Sequence, residues 1–273
     1  MAESRRCAVL GDPIDHSLSP VLHRAGYAHH GLDWDYGQHR VAEEGLAGFL
    51  TGLDARWRGL SLTMPLKRVA LGLADTVSDR ARLAGAANTL VLEAGKRMAD
   101  NTDIPGAVAA IRERYDGPVV SATILGGGAT ATSTGIALVE LGARMVRLAV
   151  RSPERAAETA SVLRAHPAAP AVEVTTLAGV GNERADVVVS TIPAAAQTGD
   201  LVERCARVPV VFEVIYHPWP TPLAASVGTD RILVGGLDLL VHQAALQFES
   251  FTGLPAPLAR MRAAGEHALV ARG

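Results

Sequence analysis

A largely apolar run from Val119 to Leu125, the three glycines Gly126, Gly127 and Gly128, and a helical stretch reaching Leu141 follow one another without a gap. No other feature constrains this chain as strongly. A strand that ends in Gly126-x-Gly128-x-x-Ala131 and opens into a helix has glycine at the tight turn and glycine where backbone nears a pyrophosphate. It also has a small residue where helix meets strand. The helix start then turns its free N–H groups to the phosphates. The glycines alone also suit a flexible turn. The strand–loop–helix context is what points to a dinucleotide site.

The surrounding pattern agrees. Met145–Val150, Ala171–Val174, Ala185–Val189 and Val208–Val214 read as apolar strands, with a helix over Pro153–Arg164. Strands apolar nearly throughout, alternating with helices, predict a parallel sheet covered on both faces. Upstream, Cys7–Leu10 reads as a buried strand closed by Gly11-Asp12-Pro13, and a helix runs from near Pro20 to about His30. Proline suits the first helical position, where its missing N–H needs no partner. A strand over Asp35–His39, an amphipathic helix over Leu46–Leu53 and a strand over Trp57–Leu62 follow. Pro65 then opens a further helix. Asn88–Leu92 and Arg97–Ala99 form a hairpin around Ala94-Gly95. The character changes after Asp103, where a helix from about Pro105 to Arg114 begins, and the end, Leu237 to about Leu269, is again helical. At about 100–200 residues per domain, 273 residues make two domains or one large one.

The strand after the glycine loop decides which dinucleotide. An NAD site places Asp or Glu about 20 residues on, bonded to the ribose 2′-hydroxyl. Here the strand ends in Val150-Arg151-Ser152, with Arg155 one turn further. A guanidinium binds a 2′-phosphate by paired charge-assisted bonds, so NADP is preferred. The alternative is a solvated helix start, with Glu154 beside the two arginines.

Polar clusters sit at the ends of the upstream elements. His16-Ser17-Leu18-Ser19-Pro20 puts two hydroxyls at a helix start, where an anion is favoured; Ser19 as a plain helix cap is the alternative. Ser61-Leu62-Thr63-Met64-Pro65-Leu66-Lys67 places a lysine just past a strand, near a predicted helix start. The local dipole there lowers an ammonium pKa, as acid–base work requires. A snorkelling surface lysine is the alternative. Ala87-Asn88-Thr89 and Asp100-Asn101-Thr102-Asp103 follow, and Asp103 also suits a helix cap. The remaining clusters are Tyr216-His217-Pro218-Trp219-Pro220-Thr221-Pro222 and Gly235–Gln243. Gln243 lies mid-helix among apolar neighbours, where an amide needs a partner.

Composition narrows the function class. Net charge is only -2, with 26 basic and 28 acidic residues, so the chain has no general attraction for nucleic acid or anionic membrane. The stretch from Met1 to Arg6 is polar, without the apolar segment of a signal peptide, and no run of about 18 apolar residues predicts a membrane span. Two distant cysteines, Cys7 and Cys205, make no disulfide framework and read as buried free thiols in a reducing cytoplasm. No HExxH or paired CxxC spacing suggests a metal.

Taken together, GDPIDHSLSP, SLTMPLK, GAANTL, DNTDIPG, ILGGGATA, VRS, STIP, YHPWPTP and GGLDLLVHQAALQF, in that order over nearly the whole chain, resemble the shikimate dehydrogenase family. The resemblance implies a two-domain α/β fold hinged around a cleft. Residues 1–103 and 237–273 form the shikimate-binding domain, and residues 104–236 a Rossmann-type NADP-binding domain. It also implies site residues. Ser17 and Ser19 match the serines holding the substrate carboxylate, with Tyr216 a further contact, and Thr63 lines that pocket. Asn88 and Gln243 match groups bonding the ring hydroxyls. Lys67 and Asp103 match the catalytic pair. Gly126, Gly127, Gly128, Ala129, Thr130 and Ala131 occupy the phosphate loop. Arg151, Ser152 and Arg155 occupy the 2′-phosphate site, and Thr191 and Gly236 complete the cofactor contacts. The chain departs from the family pattern at Val150, where Asn is common, at Ser61, where Asn is frequent, and at Leu239, where Met often approaches the nicotinamide. The loop itself reads Gly127-Gly128-Ala129 in place of Ala-Gly-Gly.

The implied activity is NADPH-dependent, reversible reduction of 3-dehydroshikimate to shikimate in the chorismate pathway, without a metal, by a cytoplasmic monomer or homodimer. Its partner is a small molecule, not nucleic acid or membrane. A quinate/shikimate dehydrogenase using NAD or NADP is the near alternative. A non-catalytic NADPH- or shikimate-binding regulator is the alternative of another class.

Overall fold

The computed structural model describes residues 4–272. Residues 1–3, part of the polar N-terminal stretch, lie outside the described residues, as does residue 273. The chain divides into two compact units, one formed by the residues up to Thr102 with those from Leu240 onward, the other by Asp103–Leu239.

The first unit is built on β1 (Arg5–Gly11), α1 (Ser19–His29), β2 (Trp34–Arg40), α2 (Leu46–Thr51), β3 (Trp57–Leu62), β4 (Thr76–Val77), α3 (Asp79–Ala84), β5 (Thr89–Glu93) and β6 (Lys96–Asp100). The sheet order is β2-β1-β3-β5-β6-β4. It is mixed, with β1 parallel to β2 and β3. β3 pairs antiparallel with β5, and β5 antiparallel with β6. The β5–β6 pairing follows from the tight turn at Ala94-Gly95, both at positive φ, which returns the chain beside itself with no crossover helix. Leu10, Leu60, Leu62 and Leu90 project from these strands into a buried core closed by Leu46, Leu50 and Leu66.

The second unit holds α4 (Asp103–Arg114), β7 (Ser121–Leu125), α5 (Ala129–Glu140), β8 (Met145–Val150), α6 (Ala157–Arg164), β9 (Ala171–Thr176), β10 (Val187–Ser190), α7 (Gly199–Arg204), β11 (Val210–Glu213), α8 (Pro222–Ala225) and β12 (Ile232–Val234). Its sheet order is β12-β11-β10-β7-β8-β9, every neighbouring pair parallel. Counted from β7, this is the 3-2-1-4-5-6 order of a Rossmann sheet, whose strand order reverses between β7 and β10. The helix expected over Pro153–Arg164 opens with a 3₁₀ turn, Pro153–Ala156, before α6.

The helical end is two helices, α9 (Gly236–Thr252) and α10 (Leu258–Val270). They are separated where Gly253 takes φ +71° and two prolines follow. α10 packs on α1.

Candidate active site

In the first unit the strand register collects the polar clusters at one edge of the sheet. Leu10 lies opposite Leu62, Ser61 opposite Thr89, and Thr89 opposite Asp100. The segments that follow β1, β3 and β6 therefore start at the edge where β5 begins. Ser17 and Ser19 come from the first of these, Thr63 and Lys67 from the second, Thr102 from the third, and Asn88 immediately precedes β5.

Ser19 is the first residue of α1 and is buried; the cap position belongs to Leu18, whose side chain makes no cap bond. Ser17 Oγ accepts from the Ser19 N–H at 3.3 Å, a long contact. The plain-cap reading of Ser19 therefore does not hold. An uncapped helix start flanked by two hydroxyls suits a carboxylate. Thr63 is half-buried, and its N–H donates to the Leu10 carbonyl at 3.0 Å, fixing the turn out of β3.

The helix expected from Pro65 is absent, so Lys67 does not stand at a helix start. Residues 64–68 form turns, followed by a 3₁₀ segment over Val69–Leu73. The physical reason is tertiary. The Lys67 carbonyl accepts from the Ala87 N–H at 2.6 Å and is not available to residue 71. That bond ties the Lys67 backbone to the segment leading into Asn88, and the side chain is half-buried.

Asn88 is buried at 2% exposure, and its orientation is dictated by a backbone donor. The Thr102 N–H donates to Asn88 Oδ1 at 2.7 Å, so Nδ2 must point the other way, to Thr102 Oγ1 at 2.9 Å and Gln243 Oε1 at 3.2 Å. Gln243 in turn donates to the Leu240 carbonyl at 2.9 Å, so the mid-helix amide has the partners its burial requires. Asp100 and Asn101 do something else: Asp100 holds Ser78 and Arg80, and Asn101 donates to the Ala86 carbonyl. Burial alone would raise the Asp100 carboxyl, but the Arg80 and Ser78 bonds outweigh it and hold it low.

Sequence reasoning missed the deeper layer. Thr102 and Thr89 bond Asn88 directly, and Gln247, Ser61 and Tyr36 lie behind them, all buried. Gln247 had a legible signal: it is a second amide four residues after Gln243, on the same apolar helix face. Tyr36 had none.

In the second unit the candidate residues follow the C-terminal ends of parallel strands, where open α/β sheets bind ligands. Gly126 follows β7, Arg151 and Ser152 follow β8, Thr191 follows β10, Tyr216 lies beyond β11, and Gly236 beyond β12. At the switch point the loops after β7 and β10 touch. Gly126 takes φ +124°, and a Cβ there would lie 2.0 Å from Thr191 Oγ1, which itself donates to the Leu125 carbonyl at 2.9 Å. A Cβ on Gly127 would lie 2.6 Å from the Arg155 carbonyl oxygen, so the bare backbone brings the Arg155 turn against the loop.

Gly128, by contrast, has nothing within 4 Å of a Cβ. It occupies the N-cap of α5 without a side-chain cap, beside half-buried Ala129 and Thr130, and Ala131 is buried against the sheet. The loop thus presents an uncapped start of a 12-residue helix behind open space, which fits a pyrophosphate. Arg151 and Arg155 are exposed, and among the described residues neither is held in an ion pair by Glu154 or any other acid. Two guanidiniums at the end of β8 fit a 2′-phosphate. Gly236 opens α9; a Cβ there would lie 2.5 Å from the Val214 carbonyl oxygen, in the segment that carries Tyr216. Asp103 is buried and is the first residue of α4.

Behind that edge, Glu213 at the end of β11 is fully buried. It accepts from Gln197 Nε2 and Thr221 Oγ1, both at 2.7 Å, and from the Ile215 N–H at 3.1 Å. Burial raises its carboxyl above the usual 4.5 in spite of these bonds. Among the described residues, no group of three or more His, Cys, Asp or Glu is placed to hold a metal ion, and no helix is long and apolar enough to cross a membrane.

Residues 9–90 match the family model described as the shikimate dehydrogenase substrate binding domain, and residues 236–264 the shikimate 5′-dehydrogenase C-terminal domain. A protein of Caulobacter vibrioides named shikimate dehydrogenase (NADP(+)) is 36% identical over 270 residues, covering 91% of this chain and 90% of its own. The chain belongs to the shikimate dehydrogenase family. Among solved members, the shikimate dehydrogenase of Mycobacterium tuberculosis is 39% identical and superposes with a TM-score of 0.87, covering 96% of this chain and 99% of its own. The quinate dehydrogenase of Corynebacterium glutamicum, solved in complex with NAD, is 28% identical with a TM-score of 0.87, covering 97% and 99%. The first family segment spans Ser17, Ser19, Thr63, Lys67 and Asn88, and the second spans Gly236, Gln243 and Gln247.

Proposed function

We propose that this chain reduces 3-dehydroshikimate reversibly to shikimate with NADPH, as an enzyme of the chorismate pathway. The observation that supports the reading is that the segments carrying Ser17, Ser19, Thr63 and Lys67 start at the sheet edge where Asn88, bonded to Gln243, leads into β5. On this reading that unit binds shikimate and the Rossmann unit binds NADP.

Ser17, Ser19 and Tyr216 hold the substrate carboxylate, and Thr63 lines its pocket. Asn88 and Gln243 bond the ring hydroxyls. Gly126, Gly127, Gly128, Ala129, Thr130 and Ala131 cradle the pyrophosphate. Arg151, Ser152 and Arg155 take the 2′-phosphate, and Thr191 and Gly236 complete that site. Bound there, NADPH supplies the hydride. The chain's own work is placement and proton handling. The carboxylate anchor and the hydroxyl bonds fix the ketone carbon in one orientation. The Lys67 ammonium stabilises the oxyanion that forms on the ring and delivers a proton to it. Asp103 pairs with Lys67 in that transfer. In the reverse direction Lys67 removes the hydroxyl proton.

The chain works as a monomer or homodimer on a small molecule, not on nucleic acid or membrane. The buried thiols of Cys7 and Cys205, both raised by desolvation, to about 12 and about 11, suit a reducing cytoplasm. The test is NADP reduction, followed by the absorbance of the reduced nicotinamide, with shikimate, with quinate and with no substrate, then repeated with NAD. Turnover with shikimate and NADP is expected. The likeness to a quinate dehydrogenase makes quinate with NAD the second reading, and its dominance in this assay would replace the first. Binding without turnover would make the chain a sensor.

A further inference from the structure

Behind the first unit's site runs a chain of buried hydrogen bonds whose direction is determined at two backbone anchors. The Asn88 carbonyl can only accept, and Gln247 Nε2 lies 3.0 Å from it; the Gln247 amide therefore faces β5 with its nitrogen. Its Oε1 then faces Ser61 Oγ at 2.6 Å, so Ser61 donates to it, and Ser61 accepts from the Tyr36 hydroxyl at 2.5 Å. On the other side, Gln247 Nε2 also donates to Thr89 Oγ1 at 3.0 Å. Thr89 thereby has its proton left for Asn88 Oδ1 at 2.8 Å. That oxygen already accepts from the Thr102 N–H, which can only donate. Protons thus run one way, from Tyr36 through Ser61, Gln247 and Thr89, and end on the carbonyl side of the Asn88 amide.

The outcome is a defined polarity at the edge. With Asn88 Oδ1 engaged from behind, Nδ2 turns to Gln243 Oε1, and Gln243 presents its own nitrogen side. Gln247 sits one helical turn from Gln243 on α9 and grips the residue to which Gln243 bonds. It therefore also sets how α9 lies against the start of β5.

We propose that Gln247 is a positioning residue for substrate recognition: with Ser61, Thr89 and Tyr36 it holds the Asn88–Gln243 amide pair so that Asn88 spends its N–H groups on Thr102 Oγ1 and Gln243 Oε1, and the second N–H of Gln243, not its carbonyl oxygen, is turned toward the ring hydroxyls. This rests on the reading of Asn88 and Gln243 as the hydroxyl ligands. Tyr36 and Ser61 supply the first protons of the chain from a site where burial, before any other cause, keeps the phenol protonated.

The experiment compares Gln247→Leu, which removes the chain's middle, and Gln247→Glu, which keeps the acceptor toward Ser61 but loses the N–H toward Asn88 and Thr89. Tyr36→Phe, a smaller cut at the far end, serves if Gln247→Leu fails to fold. Each is assayed with shikimate and with shikimate analogues lacking one ring hydroxyl at a time, beside Asn88→Ala and Gln243→Ala. We expect the shikimate KM to rise about tenfold in both Gln247 variants and less in Tyr36→Phe, with the NADP KM unchanged. The penalty should vanish with the analogue lacking the hydroxyl that Gln243 binds. A penalty of the same size on every analogue and on the NADP KM would mean a merely structural role and overturn the proposal. So would a parent-like shikimate KM in Gln247→Glu while Asn88→Ala and Gln243→Ala raise it. Parent-like values in Asn88→Ala and Gln243→Ala would instead overturn the reading beneath it.

Discussion

His23 lies flat on Tyr36, ring centroids 4.2 Å apart and planes inclined by 12°. The imidazole is fully buried, with Phe251 on another side, and among the described residues neither ring nitrogen has a hydrogen-bond partner. Desolvation pushes its pKa down from 6.5 to about 3, against a smaller upward pull from the nearby Gln247 side chain. The ring thus acts as an aromatic plate in the core and stays neutral where an unfolded histidine would charge.

The consequence is acid lability. Below pH 6.5 the unfolded chain takes up a proton that folded His23 refuses until about pH 3, so the stability present above 6.5 is lost as pH falls through that window. His23→Phe should keep the stack, remove two unsatisfied nitrogens and stabilise the fold by about 1–3 kcal/mol at neutral pH. Thermal melts between pH 4 and 7 check this. The variant should lose less melting temperature on acidification than the parent; an equal loss would show that other groups set the acid limb.

Glu213 gives the opposite slope. Its folded carboxyl is raised above 4.5, so the folded state binds a proton the unfolded state has released, and stability falls as pH rises above 4.5. Glu213→Gln should flatten that slope. It should also cost about 1–3 kcal/mol at every pH, because its NH₂ would face the Gln197 and Thr221 donors. Denaturant titrations at several pH values measure both effects. A variant with the parent's pH slope would refute this source for it.

Lys67 and Asp103 should behave as one unit. Lys67→Met is expected to lower kcat by about 10²–10⁴, the scale of a positioned acid–base group, with a smaller effect on shikimate binding. Asp103→Asn should act similarly, and the double variant should be little worse than either. Turnover of Lys67→Met at the parent rate would end the mechanism.

Arg151→Ala should raise the NADPH KM by about 10–100-fold, equivalent to about 1.5–3 kcal/mol for a charged hydrogen bond, and leave NADH nearly unaffected. The side chain is exposed and, among the described residues, in no ion pair, so folding should not change. Equal losses with both cofactors would assign Arg151 a structural task.

Ser17→Ala with Ser19→Ala should fold normally, since the bond lost at the start of α1, from the Ser19 N–H to Ser17 Oγ, is long at 3.3 Å. Shikimate binding should weaken, while an analogue lacking the carboxylate should bind parent and variant alike. An equal loss with that analogue would mean that the hydroxyls shape the site only indirectly.

Local chemistry was legible in the chain itself. The Trp57–Leu62 and Met145–Val150 strands, the Ala94-Gly95 hairpin and the glycine loop depend on side-chain periodicity and turn residues within a few positions, and the structure has them. The ordered blocks from HSLSP to LLVHQA carried the family. Tertiary structure alone decided the rest. The Pro65 segment is no helix because Ala87 takes the Lys67 carbonyl, a bond across 20 residues that no local propensity encodes. The proton order from Tyr36 to Asn88 exists only because β2, β3, β5 and α9 meet in one core. A hydrogen-bond chain joins residues by position, and the sequence lists them up to 186 residues apart.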